Sequence, residues 1–204
     1  DGKTEDFARV RLTAEVETRA ASTEGEITLD AIYEHIKNHY RLDAELLDRI
    51  KDREIEFEIS LVERRELGHK LWSIAQASRK PITVISDMYL SKSVILRMLE
   101  KNGYTGYQKL YVSSDHGVRK KEGPLFDIVI EDQGLDPTKH LHIGDNRVAD
   151  GEMAQARGMH AFRIPRAVDR MRSNPNFTKI FKPRSGVGER SRSVIAGLIA
   201  TRFF

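Results

Sequence analysis

The chain has 204 residues, enough for one compact domain with a smaller appendage and too few for three domains. A hydrophobic share of 39% beside 32% charged residues reads as a soluble globule, and no run is long and apolar enough to span a bilayer. With no cysteine, disulfides and thiolate chemistry are excluded; no secretory leader pattern opens the chain, so cytoplasm is the default location.

The net charge of +3 hides an asymmetry: residues 1–60 carry nine basic and sixteen acidic side chains, whereas 163–204 carry ten basic and two acidic. A solvated tail or linker is the preferred reading of this stretch over a nucleic-acid surface.

From Phe7 to about Arg79 the periodicity is helical throughout. "FARVRLTAEVETRA" places Phe7, Val10, Leu12 or Ala14, and Val16 on one side of a helix. "TLDAIYEHIKNHY" opens with Thr28 and Asp30 as cap candidates ahead of Ile32, Tyr33 and Ile36. "DAELLDRIKDREIEFEISLVERREL" predicts one long helix, and "ELGHKLWSIAQASRK" another that ends at Lys80-Pro81. Trp72 and the Phe and Leu residues of this stretch are expected in its core.

After Pro81 the pattern changes to alternating strands and helices. "ITVIS" (82–86) predicts a strand buried on both faces, and a helix over about 92–101 is stopped by Asn102-Gly103. "KLYVSS" (109–114) predicts a second strand, and "GPLFDIVIEDQG" (123–134) a helix with proline in its first turn. "HLHIG" (140–144) and "HAFRI" (160–164) predict two further strands around a helix at 148–158. This alternation predicts a parallel sheet with helices on both faces, where ligands sit at the carboxyl ends of the strands.

Three strand exits carry polar groups. The first delivers Ser86 and Asp87, and the third Gly144, Asp145 and Asn146, with Asp150 on the turn beyond. The loop "SSDHGVRKKEG" brings Arg119, Lys120 and Lys121 to the start of a helix. A serine hydroxyl with exposed amides can donate to phosphate oxygens, and a lysine sets a compact positive charge against the anion. Two aspartates can hold Mg²⁺, with water and phosphate oxygen completing its octahedron, and Gly144 permits close backbone approach. Each residue also has a plainer reading: strand-end serine, solvated charge run, helix-capping aspartates, and His142 facing a helix layer.

The ordered set "ITVISD", "RKKEG" and "LHIGDNRVAD" resembles motifs two, three and four of the haloacid dehalogenase (HAD) superfamily. The longer stretches "ISDMYLSKSVI", "LYVSSDHGVRKKEGPLF" and "HIGDN" resemble HAD-type hydrolases of bacterial surface-polysaccharide gene neighbourhoods, often fused to glycosyltransferases. "FARVRLTAEVETRA" and "LDAIYEHI" resemble that group's cap insert. The resemblance covers most of residues 5–165. It implies a HAD-like Rossmannoid parallel sheet with an all-helical cap: residues 1–80 as cap, 81–166 as α/β core, and 167–204 as a basic tail or the start of a following segment. It further implies that Ser86, Asp87 and Lys120 bind the phosphoryl group, with Lys121 the alternative lysine. Asp145 and Asp150 would hold Mg²⁺, supported by Gly144 and Asn146.

The family's first motif, a D-x-D at the end of a first strand, supplies the nucleophile and the general acid/base. No apolar run precedes the helical unit, and Asp1 is a poor candidate for it. The implied sheet therefore lacks its first strand, which by the family topology lies between the strands ending at Ser86 and Asp145. The expected function of the intact chain is a Mg²⁺-dependent phosphohydrolase acting on a small phosphorylated metabolite through an aspartyl-phosphate, with the segment alone inactive and poorly stable. The alternative is a non-catalytic accessory module of a polysaccharide-biosynthesis protein, with a fused or associated glycosyltransferase as partner.

Overall fold

The computed structural model describes residues 2–23, 25–40, 42–166, 169–170 and 173–175. Asp1 and nearly all of the basic tail lie outside this set. Four helices come first: α1 (Gly2–Ala21), α2 (Leu29–Tyr40), α3 (Ala44–Leu61) and α4 (Glu66–Ala77). There follow β1 (Thr83–Ser86), α5 (Lys92–Lys101), β2 (Lys109–Val112), the short α6 (Ser113–His116) and α7 (Pro124–Gln133). The order closes with β3 (Leu141–Gly144), a π-helical turn (Arg147–Glu152), α8 (Met153–Gln155) and β4 (His160–Arg163). No helix among the described residues is long and apolar enough to cross a membrane.

Local chemistry explains most boundaries. The Thr28 hydroxyl accepts from Ala31 N (3.1 Å) and Asp43 Oδ1 from Leu46 N (2.8 Å), each satisfying an amide that the first helical turn leaves free. Pro124 starts α7, and Gly134, left-handed at φ 58°, ends it.

Several expectations change. The predicted helix over 43–67 stops at Leu61, where Val62 turns extended. Its terminal carbonyls find donors on α5 instead: Lys101 Nζ bonds Ser60 O (2.6 Å) and Val62 O (2.9 Å), and Asn102 Nδ2 bonds Val62 O (3.2 Å). On α1 the inward stripe is Phe7, Val10 and Ala14, at helical spacing, while Leu12 and Val16 are exposed; Val16 lies about 200° around the helix from Ala14. Trp72 is half-buried rather than core, donating to Thr105 O (3.1 Å) and meeting Tyr104 and Tyr107 edge-on. The predicted helix at 148–158 becomes a π-helical turn and a single α-turn.

The strands form two separate parallel pairs. β1 pairs with β2 in the register Thr83↔Lys109 to Ser86↔Val112, and β3 with β4 from Leu141↔His160 to Gly144↔Arg163. β1 and β3 are not hydrogen-bonded to each other. β1 and β3 are consequently not buried on both faces, unlike β2, whose Leu110, Tyr111 and Val112 are buried: β1 is half-buried along its length, and Leu141 and Ile143 of β3 are 58% and 40% exposed.

Helix α7 joins the two pairs. Leu125 and Val129 pack with Tyr111 of β2, while the neighbouring Phe126 packs with Met159 and Ala161 beside β3–β4; Ile85 of β1 touches both groups. The largest hydrophobic cluster draws on both parts of the chain, joining Ala14, Ile32, Ile36 and Leu47 of the helices to Leu90, Val94, Met98 and Val112.

Candidate functional site

Ser86 ends β1 and is half-buried, and Asp87 follows it. The Asp87 carboxylate reaches across to the loop after β2, with Oδ1 accepting from Lys120 N (2.8 Å) and Oδ2 from Lys121 N (3.3 Å). Asp87 thus anchors the backbone of the lysine loop. Burial pushes its carboxyl above the ordinary value, against those two amides and the Lys120 charge.

Held in this way, the Lys120 side chain runs inward, and its Nζ lies 2.6 Å from Asp150 Oδ1. Both residues are buried. Lys121 is exposed.

Asp150 is a junction. Oδ1 also meets His142 Nε2 at 2.9 Å, and Oδ2 accepts from Asn146 N at 2.9 Å. Burial alone would raise this carboxyl; the His142 hydrogen bond, the Lys120 ammonium and the Asn146 amide outweigh it and hold the group well below the usual carboxylate range.

The π-helical turn aims Asp150 back at the strand. Asn146 Oδ1 caps it by accepting from Val148 N and Ala149 N (both 3.0 Å), and Asn146 O accepts from Asp150 N (2.9 Å) and Gly151 N (3.2 Å). The second backbone bond spans five residues, widening the turn so that the Asp150 carboxylate folds over Gly144. A Cβ on Gly144 would lie 2.2 Å from Asp150 Cγ, so the glycine makes room for this carboxylate.

Hydrogen bonds link Asp87, Lys120, His142, Asn146 and Asp150, with Gly144 packed against Asp150; Lys121 contributes only its amide, and Ser86 and Asp145 join this network as chain neighbours of Asp87 and Asn146. Lys120 connects the two halves: its N–H bonds the residue after Ser86, and its ammonium bonds the carboxylate whose other oxygen receives the amide after Asp145. His142 is the residue the sequence reading undervalued. It does face a helix, edge-on to Phe126 with centroids 4.9 Å apart, yet its Nε2 reaches Asp150. Its alternation with Leu141 and Ile143 placed it on the opposite strand face; nothing local marked the contact.

Of the two aspartates after β3, Asp145 has the less occupied carboxylate. That residue is half-buried and accepts no hydrogen bond from the described residues, whereas Asp150 already takes three donors. Among the described residues no three His, Cys, Asp or Glu side chains gather into a metal-holding group. Mg²⁺ is commonly held by one or two carboxylates, with water and phosphate oxygens filling the remaining positions.

No family model and no curated protein matches the sequence. Solved structures do match in three dimensions. An L-2-haloacid dehalogenase from Xanthobacter autotrophicus is 14% identical, over 98% of this chain and 77% of that one, with a TM-score of 0.59. A HAD family enzyme from Bacteroides thetaiotaomicron, BT-2542, in its magnesium complex, is 16% identical over 87% and 88%, with a TM-score of 0.53. The wild-type form of that enzyme with magnesium and inorganic phosphate is 16% identical over 76% and 75%, with a TM-score of 0.50. The chain shares the HAD-like α/β fold, a helix-rich architecture around small parallel sheets.

Proposed function

We propose that these residues belong to a Mg²⁺-dependent phosphohydrolase that acts on a small phosphorylated metabolite. The observation that carries this reading is the buried Lys120–Asp150 pair, bound on one side to the exit of β1 and on the other to the exit of β3.

Lys120 presents a fixed positive charge at the carboxyl ends of the strands, suited to an anion and to the negative charge that develops as a phosphoryl group moves. The Ser86 hydroxyl is available to donate to a phosphoryl oxygen. Asp145 is the carboxylate that would hold Mg²⁺, and a bound ion there would neutralise phosphate charge and polarise the phosphorus–oxygen bond. Asp150 and His142 keep Lys120 in place, and Asp87 keeps its loop in place. The BT-2542 complex, which contains magnesium and phosphate on a similar fold, supports this choice of ligand.

The nucleophile belongs between β1 and β3. We propose that a parallel strand ending in a D-x-D pairs there, turning two pairs into one continuous sheet and placing its first aspartate beside Ser86 and Asp145. The first aspartate would attack phosphorus, expelling the alcohol to form an aspartyl-phosphate. The second would protonate that leaving oxygen and then activate the water that hydrolyses the intermediate.

The test is hydrolysis of p-nitrophenyl phosphate by a chain that carries such a strand ahead of α1, with and without Mg²⁺. Turnover that needs Mg²⁺, and that falls roughly 10²-fold or more in Lys120→Ala, is the expected result. The 204 residues alone should give no turnover. Phosphate binding with no turnover in the strand-bearing chain would favour the accessory-module reading, and neither binding nor turnover would overturn the proposal.

A further inference from the structure

Glu26 lies in the segment between α1 and α2, far in sequence from every site residue, and is 5% exposed. Oε1 accepts from Arg19 Nη1 (2.6 Å) and Ile27 N (3.0 Å), and Oε2 from the Ser113 hydroxyl (2.9 Å). Ser113 is fully buried directly after β2, and its oxygen accepts from Met88 N at 2.8 Å. Met88 follows Asp87, which holds Lys120 N. Hydrogen bonds and one peptide link therefore run from α1 to the lysine loop.

The same segment touches both loops through its backbone. Glu26 N donates to Gly117 O (3.1 Å), and Leu29 N donates to Tyr89 O (2.9 Å). Gly25 lies against Gly117 and Val118, so that a Cβ on it would approach Gly117 O to 3.3 Å. One short stretch of the helical unit thus braces the loop after β1 and the loop that precedes Lys120.

The residue type fits the task. A carboxylate accepts without offering a hydrogen of its own, so it can take three convergent donors, whereas an amide at the same place turns an N–H toward one of them. Each donor that loses its partner in a buried position costs more than the hydrogen bond contributes when made.

We propose that Glu26 is a positioning residue, through which the helical unit holds the β1 exit and the lysine loop in mutual register. This goes beyond the phosphohydrolase reading and rests on it only for the role of Lys120. Docking of the helical unit and assembly of the phosphoryl site then become one event, transmitted by Glu26 and Ser113.

The experiment is residue-resolved amide hydrogen exchange on the 204-residue chain, comparing wild type with Glu26→Ala, Glu26→Gln and Ser113→Ala. Loss of one buried hydrogen bond corresponds to exchange faster by roughly tenfold, expected at Met88 and Lys120 in Glu26→Ala and Ser113→Ala. Val129 and Ile130 in α7 should keep their rates, and Glu26→Gln should recover part of the protection. Unchanged protection at Met88 and Lys120, or a uniform rise at all amides, overturns the proposal. If Glu26→Ala does not fold, Ser113→Ala, which removes one oxygen, decides the outcome by the same criteria.

A parallel titration of the strand-bearing chain and its Glu26 variants with inorganic phosphate and Mg²⁺ separates the two claims. Selective loosening with no phosphate binding supports the Glu26 inference and sinks the phosphohydrolase reading. Phosphate binding, with site loops indifferent to Glu26, does the reverse.

Discussion

Lys120 and Asp150 stand 30 positions apart in sequence, yet Nζ and Oδ1 are 2.6 Å apart and the pair is almost closed to solvent. It ties the loop after β2 to the turn after β3, across two strand pairs that share no backbone hydrogen bond. Removing one member strands a charge in a low-dielectric setting, and that cost exceeds what the pair contributes when intact. Lys120→Met and Asp150→Asn should each destabilise the chain by about 3–5 kcal/mol in urea titrations. The double substitution should cost clearly less than the sum, because neither charge is then unpaired. Additive losses would show that the two groups do not act as a pair.

Gly144 and Gly151 give a controlled contrast. At Gly144 an added methyl would meet Asp150 Cγ at 2.2 Å, whereas at Gly151 nothing lies within 4 Å. Gly144→Ala should displace the carboxylate and cost at least about 1–3 kcal/mol as an overpacked site. Gly151→Ala should be neutral or stabilising by about 0.4–1 kcal/mol, through a less flexible unfolded chain. Equal melting temperatures for the two variants would contradict the packing described around Asp150.

The helical unit carries a separate signature at alkaline pH. The Tyr33 hydroxyl donates to Glu54 Oε2 at 2.6 Å, beside the Arg11 guanidinium that bonds the same carboxylate at 2.8 Å. Burial, the Glu54 hydrogen bond and its negative charge raise the Tyr33 phenol, with Arg11 opposing them. A phenol raised above its unfolded value of about 10 contributes stability that is complete below that pH and lost as pH climbs through the folded value. Stability of the wild type should therefore fall above about pH 10, and that of Tyr33→Phe should fall less over the same range. Parallel urea midpoints for the two proteins from neutral to strongly alkaline pH would refute this.

Because one hydrophobic cluster spans the helices and the α/β part, the two should not melt separately. Ile32 of α2 and Leu90 of the β1–α5 loop are both fully buried in it. Either residue cut to alanine should cost about 2–5 kcal/mol, and far-ultraviolet circular dichroism and Trp72 fluorescence should report coincident transitions. A transition seen by one probe and absent from the other would show that the helical unit unfolds alone.

The local chemistry of the chain made much of this legible in advance. Apolar spacing located α2, the Asn102-Gly103 stop marked α5, Pro124 and Gly134 framed α7, the Thr28 cap set an end, and short apolar runs set the strands. The order of Ser86, Lys120, Asp145 and Asp150 along successive strand exits pointed to one shared site, since parallel strands deliver their ends to the same edge.

What the sequence could not express is contact between residues that are distant along it. The end of α3 depends on donors from Lys101 and Asn102, and the π-helical turn on Asn146 accepting two amides at once, neither of which apolar periodicity registers. Residue order placed acids and bases at strand exits; only the folded packing paired Asp150 with Lys120 and His142, turned Asp87 toward a loop, and gave Asp145 no hydrogen-bond donor among the described residues. Composition and spacing fix which elements form, because those follow from short-range torsional and burial preferences. Which polar group satisfies which is decided in three dimensions, where each buried donor takes the nearest acceptor that the packed chain brings to it.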